Sequence, residues 1–267
     1  MSIKIKNIEN KSRKIVSMLE NYCVVEYIED VTGAPQNASE EFFRNKTGIR
    51  RRQLFVQLDG EKTLVAQSGI LQWVGGNVEV TTGVKGMGDF MSKFLKSKVV
   101  KESTINPEYK GTGIVAMEPI YKYIILQDVS TWGEKGMVVE DGMFYACDKT
   151  VKHTIVQRTN ASSAVLGNEG LFNLCLSGKG IVALESTIPQ NELIEIELKD
   201  DVLRIDGSYA ICWSASLEVG VEPSSKTIIG SVINKEGLVN VYRGTGKVLV
   251  SAVKSTKDVV SLPESKK

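Results

Sequence analysis

Three glycine pairs are the first candidates for chemistry. Gly111-Thr-Gly113, Gly178-Lys-Gly180 and Gly244-Thr-Gly246 each open an apolar run, and Gly111–Ala116 and Gly178–Ala183 satisfy the loose dinucleotide pattern G-x-G-x-x-A. A pyrophosphate loop needs a helix after its glycines, so that the helix N-terminus meets the phosphates. Here Ile-Val-Ala-Leu follows one copy and Lys-Val-Leu-Val another, and both read as strands. The glycines are therefore expected at tight turns or bulges between strands.

The chain has one histidine, His153. Oxygenases and cupins of the double-stranded β-helix type bind their metal with two or more histidines plus a carboxylate, a set this chain cannot assemble. A Ser-His-Asp or Cys-His device would have to use His153, which shares a strand face with Val151 and Ile155, where a packed or half-exposed histidine is the simpler expectation. No G-x-S-x-G elbow accompanies it. The four cysteines, Cys23, Cys147, Cys175 and Cys212, form no C-x-x-C pair, and the last three sit in apolar strand-like runs as small hydrophobes. Asp200-Asp201 and Asp206 read as hairpin-turn residues. No catalytic, cofactor-binding or metal-binding residue is nominated, and no cofactor is expected.

Two binding chemistries remain. Arg50-Arg51-Arg52 with Lys93, Lys96 and Lys98 can meet phosphates, and Trp73, Trp132 and Trp213 can stack on bases. A solvated charged turn and three core or edge aromatics are the competing readings. With 33 basic and 32 acidic side chains the net charge is +1, which gives no global pull toward nucleic acid or acidic lipid.

The elements that position these residues are mostly strands. An apolar share of 42% over 267 residues is enough for a sizeable core. The first fifty residues read as a lead-in: a short helix starting at Ser12 with Ile15, Val16 and Leu19, a strand over Cys23–Ile28, and a second helix from Ser39 bearing Phe42 and Phe43. From Arg52 onward apolar residues alternate, as in Leu54, Val56 and Leu58, in Ile194, Ile196 and Leu198, and in Leu217, Val219 and Val221. The start MSIKIKNIENKSRK has no apolar signal core, and no run approaches the ~20 residues needed to cross a bilayer, so a cytoplasmic protein is expected.

The strands repeat. The glycine pairs lie 67 and 66 residues apart, and a second landmark precedes each: QSGILQW at Gly69, EDGMFYAC at Gly142 and IDGSYAICW at Gly207. The Glu-Gly-Leu-x-Asn run of Glu169–Asn173 recurs at Glu236–Asn240. This divides the chain into a lead-in (1–50), β units at 51–119, 120–186 and 187–253, and a polar tail (254–267). The first unit carries an insertion near Asp89–Lys98, where a short helix is expected. The predicted fold is all-β: three similar β-sandwich units around a pseudo-threefold axis, with short N-terminal helices.

The segments RQLFVQLDG, SGILQWVGG, YKGTGIVAMEP, EDGMFYAC, NEGLFNLCLSGKGIVALES and GLVNVYRGTGKVLV together resemble the mitochondrial-biogenesis family named for altered inheritance of mitochondria, over about Arg51 to Val253. The first fifty residues resemble its extended bacterial form. That resemblance implies a double-stranded β-helix-like fold grouped with the tryptophan RNA-binding attenuation protein, and it carries no catalytic or ligand residues. The expectation is a non-enzymatic scaffold or interaction protein with unidentified protein partners. A nucleic-acid or small-ligand binder is the alternative by fold analogy.

Overall fold

The computed structural model describes residues 3–29, 34–82, 106–157, 172–206, 209–224 and 238–253. They form two compact units. One comprises residues 1–128, 143–151 and 179–186; the other comprises 129–142, 152–178 and 187–267.

The first unit is an eight-stranded antiparallel sheet. Its strands are β1 (Arg13–Leu19), β2 (Tyr22–Tyr27), β3 (Arg52–Ala66), β4 (Leu71–Thr81), β5 (Glu108–Met117), β6 (Tyr123–Asp128), β8 (Phe144–Asp148) and β11 (Ile181–Ser186). The order runs β1-β2-β3-β8-β11-β6, with β5 on β3 and β4 on β5. The sheet curls enough for β1 and β3 both to approach β6. Its core gathers Tyr22, Val24, Leu54, Val56, Leu58, Val115 and Ala183, the alternating positions of each strand.

The second unit is a seven-stranded sheet of β7 (Met137–Val139), β9 (Val151–Gln157), β10 (Phe172–Gly178), β12 (Leu193–Asp206), β13 (Ala210–Ser214), β14 (Glu218–Pro223) and β15 (Leu238–Ser251). Val138, Leu198, Trp213, Tyr242 and Val248 pack at its centre. Trp213 meets Tyr242 edge-on, with ring centroids 5.6 Å apart.

The helix expected at Ser12 is a strand. Residues 13–19 alternate between half-buried Arg13, Ile15, Ser17 and Leu19 and exposed Lys14, Val16 and Met18. They pair antiparallel with β2 through a tight turn in which Glu20 takes φ +50°. Two adjacent β-branched residues suit this pleat better than a helical turn. The second expected helix is present as α1 (Ala38–Thr47), closed by Gly48 in the left-handed conformation.

β12 departs from simple alternation. Leu198 is buried, but Ile194 is 52% exposed, so its apolar series is not one buried face. The strand pairs on one side only, with β15, among the described residues. The insertion near Asp89–Lys98, where a short helix is expected, and the polar tail after Val253 lie outside the described residues.

Candidate functional site

The three glycine pairs do not share one role. Gly178-Lys-Gly180 makes the turn between β10 and β11, while Gly111-Thr-Gly113 and Gly244-Thr-Gly246 lie inside β5 and β15. The outer pairs face irregularities in the partner strand, between Asp59 and Thr63 of β3 and between Leu198 and Asp201 of β12. Each reason for glycine is local. At Gly111 (φ +131°) an added Cβ would lie 2.1 Å from the Asn77 carbonyl oxygen. At Gly180 (φ +137°) it would lie 2.9 Å from both Asp148 Cβ and Thr150 Oγ1. A strand, not a helix, follows each pair, so none presents a helix N-terminus to a phosphate.

Gly180 leads to the first polar centre, inside the first unit. Asp148, at the end of β8, is 4% exposed. One carboxylate oxygen accepts a 2.9 Å hydrogen bond from the Tyr22 hydroxyl on β2, and the other accepts the Ile181 backbone N–H, also at 2.9 Å. Lys62 Nζ lies 3.8 Å away and also pairs with Glu20. Burial, followed by the negative charge of Asp148, pushes the Tyr22 pKa well above its ordinary value, so the phenol stays a donor. The arrangement ties β2, β8 and the turn before β11 into one knot. Sequence reasoning passed over Asp148 because Cys147-Asp148 reads as an ordinary strand end.

The second polar centre holds the arginine triplet. Arg52 is 4% exposed, with its Nε 2.9 Å from Glu26 Oε2 and its guanidinium 3.6 Å from the centroid of the Tyr123 ring. Arg50 donates to the other oxygen of Glu26 at 3.0 Å. Arg51 donates through Nε to the Tyr121 hydroxyl at 2.9 Å and through Nη2 to Glu41 at 3.3 Å. The guanidiniums of Arg51 and Arg44 lie 5.2 and 4.1 Å from the centroid of the Tyr121 ring. The triplet is therefore engaged with two glutamates and two tyrosines rather than standing as a solvated turn. Lys93, Lys96 and Lys98 lie outside the described residues.

The remaining candidates separate. Trp132 and Trp213 are buried in the second unit, while Trp73 is 36% exposed and leans on Phe55. Cys147, Cys175 and Cys212 are buried and Cys23 is half-buried; all four are free, and burial pushes each thiol up, away from the reactive thiolate. His153 is exposed on β9. Among the described residues no group of three or more His, Cys, Asp or Glu is placed to hold a metal ion, and no helix is long and apolar enough to cross a membrane.

Residues 45–253 match the family described as Mitochondrial biogenesis AIM24, a span that takes in the arginine triplet, the first sheet from β3 onward and the whole second sheet, and leaves out β1 and β2. The chain belongs to the AIM24 family. A crystal structure of a structural-genomics protein from Streptococcus pyogenes is similar over 78% of this chain and 92% of that one, with a TM-score of 0.55 and 22% identity. At that identity the likeness shows the fold alone. Comparison with curated proteins gives no match. AIM24 membership brings no established biochemical activity to either polar centre. The AIM24 match begins at Asn45, inside α1, so Glu41 lies outside it and Arg51 and Tyr121 lie within it.

Proposed function

We propose that this chain is a non-enzymatic scaffold that holds protein partners along exposed strand edges. The observation that carries this reading is the pair of long strands with one neighbour each among the described residues: β4, paired only with β5, and β12, paired only with β15. An edge strand presents unpaired N–H and C=O groups that a partner strand can complete. Val80 on β4 and Ile194 and Val202 on β12 add apolar contacts, at 52%, 52% and 39% exposure. A second support is that the charged triplet is engaged with internal partners.

The scaffold reading includes three repeats of the kind that pack around a pseudo-threefold axis, and a cytoplasmic setting. Recurring strand order supports the repeats. β5 lies between β3 and β4, and β15 lies between β12 and the β13–β14 pair. In the middle stretch β11 lies between β6 and β8, and β10 lies between β7 and β9. The alternative, nucleic-acid binding by fold analogy, draws less support, because Arg50, Arg51 and Arg52 already face Glu26 and Glu41.

The test is co-purification from the native cell at low salt, with the wild-type chain beside a chain carrying Ile194→Lys and Val202→Lys. Loss of a defined set of protein partners from the variant is expected. An unchanged set removes β12 from the account, and recovery of RNA in place of protein would favour the alternative.

A further inference from the structure

Edge strands are ordinarily protected by shortness, charge, proline or a bulge, because a bare edge invites another strand. On β1, Asn10 O accepts the Arg13 N–H at 3.3 Å and Glu9 Oε1 accepts the Ile15 N–H at 3.0 Å, away from β2. β6 and β9 are only six and seven residues long. β14 carries Glu218 and Glu222 and ends on Pro223. β12 carries Glu195, Glu197, Lys199 and Arg204, and its register shifts between Leu198 and Asp201. Those charges leave β12 to a partner of matching charge.

β4 is different. It is eleven residues long, has no proline, and pairs only with β5 among the described residues. Its one charge, Glu79, already lies opposite Lys110 of β5. Its register shift comes at the start, between Leu71 and Trp73, and the pairing then runs unshifted from Trp73 to Thr81. Val80 near its end is 52% exposed, and Gly75 and Gly76 in the middle let another backbone approach.

The unshifted stretch is centred on Asn77. A second β4, antiparallel about a two-fold axis at Asn77, sets Val80 opposite Val74, Glu79 opposite Gly75 and Val78 opposite Gly76. Opposite residues in an antiparallel pair share a face, and in each of these pairs they do. Val74 and Val78 pack on the core of the first sheet, so exposed Val80 gains an apolar neighbour on their face. Glu79 meets a glycine and not its own copy. An axis at Glu79 would oppose the two carboxylates, one at Val78 would leave Val80 against a glycine, and one at Gly76 would set Glu79 against Trp73. The axis at Asn77 alone uses the whole unshifted stretch.

We propose that β4 is a self-pairing edge: two copies of this chain join by antiparallel pairing of β4 with β4 about a two-fold axis at Asn77. The contact is isologous, so it closes at two copies and leaves no bare β4 edge to recruit a third. The inference rests on the edge-scaffold reading and deepens it by giving one edge its partner, while β12 stays the edge for other proteins.

Sedimentation velocity of the full chain reads the association. Wild type is expected to dimerise with a Kd below about 100 μM. Asn77→Lys together with Val80→Lys weakens this about tenfold or more, with circular dichroism confirming that the sheet signal is retained. Ile194→Lys with Val202→Lys on β12 leaves the dimer unchanged. Asn77→Cys reads the register: diamide should link it to its own copy, because opposite Cα atoms lie about 4.5–5.5 Å apart, within disulfide reach. Glu79→Cys and the wild-type chain stay unlinked. A wild type still monomeric at about 100 μM overturns the proposal, as does a dimer that survives both β4 lysines. A dimer in which Asn77→Cys forms no disulfide overturns it too. A monomeric wild type whose protein partners are still lost with the β12 variant removes this dimer alone. A β4 dimer with an unchanged partner set removes β12 alone.

Discussion

Asp148 and Glu41 are two shielded carboxylates that solve the same problem with unequal firmness. Each meets a tyrosine hydroxyl and a cation, and both tyrosines are distant in sequence, 126 residues from Asp148 and 80 from Glu41. Asp148 sits on a strand, accepts one bond from the backbone of β11, and has both of its hydrogen bonds at 2.9 Å. Glu41 sits on a helix, its body-side donors are side chains, and its bonds are 3.2 Å or longer. A carboxylate wired to backbone is part of the fold, because moving it would leave buried donors unpaired. A carboxylate held by side chains is tied less firmly, because those donors can turn to other partners when it is lost. Burial alone does not separate the two, since both residues are nearly inaccessible; the identity of the donors does.

The sharpest way to break this contrast is Asp148→Ala. It leaves the Tyr22 hydroxyl and the Ile181 amide without their acceptor, and a loss of about 3 kcal/mol in urea unfolding is expected. A loss no greater than that of Glu41→Ala would dissolve the distinction. Gly180→Ala follows at about 2 kcal/mol, combining a left-handed φ with contact against Asp148 and Thr150. If a crystal structure of that variant kept the Tyr22–Asp148 bond unchanged, the turn would not be part of the knot.

Tyr22→Phe is the next step down, at about 1 kcal/mol near neutral pH, with a distinct signature at high pH. The folded-state pKa of Tyr22 lies above its unfolded value, so the folded chain holds the proton longer. Stability from this group is complete below about pH 10 and declines above it by up to about 1.4 kcal/mol per pH unit. Unfolding measured between about pH 9 and 11 should therefore show a shallower decline in Tyr22→Phe than in wild type. Tyr145 and Cys147 are shifted in the same direction and keep part of the slope in both chains. The smallest effect is expected from Glu41→Ala, about 1 kcal/mol globally, because Arg44 and Arg51 keep 28% and 29% of their side-chain surface in water and can be rehydrated when the carboxylate is removed. Its consequence is local, and faster hydrogen exchange confined to residues 38–47 is the measurement that distinguishes it from Asp148→Ala.

Several features were legible from sequence because their cause is local. Alternation at Leu54, Val56 and Leu58 and glycine turns at Gly69 and Gly142 follow from the pleat and from backbone sterics, which act over a few residues. The helix over 38–47 follows from its acidic first turn and its glycine stop. The linked segments that mark the AIM24 family are likewise a property of the string alone.

Tertiary structure decided the rest. Ile15, Val16 and Leu19 fit a helical stripe as well as a pleat, and only pairing with β2 selects the strand. Three similar glycine pairs became one turn and two in-strand sites because their neighbours across the sheet differ. The arginine triplet looked like a solvated turn or a phosphate grip until Glu26, Glu41 and Tyr121 were brought beside it. Local sequence carries backbone preference and face, but ion pairs and buried hydrogen bonds depend on which distant strands become neighbours. For that reason the two carboxylates that matter most here, Asp148 and Glu41, carried no mark in the sequence of the roles the fold gives them.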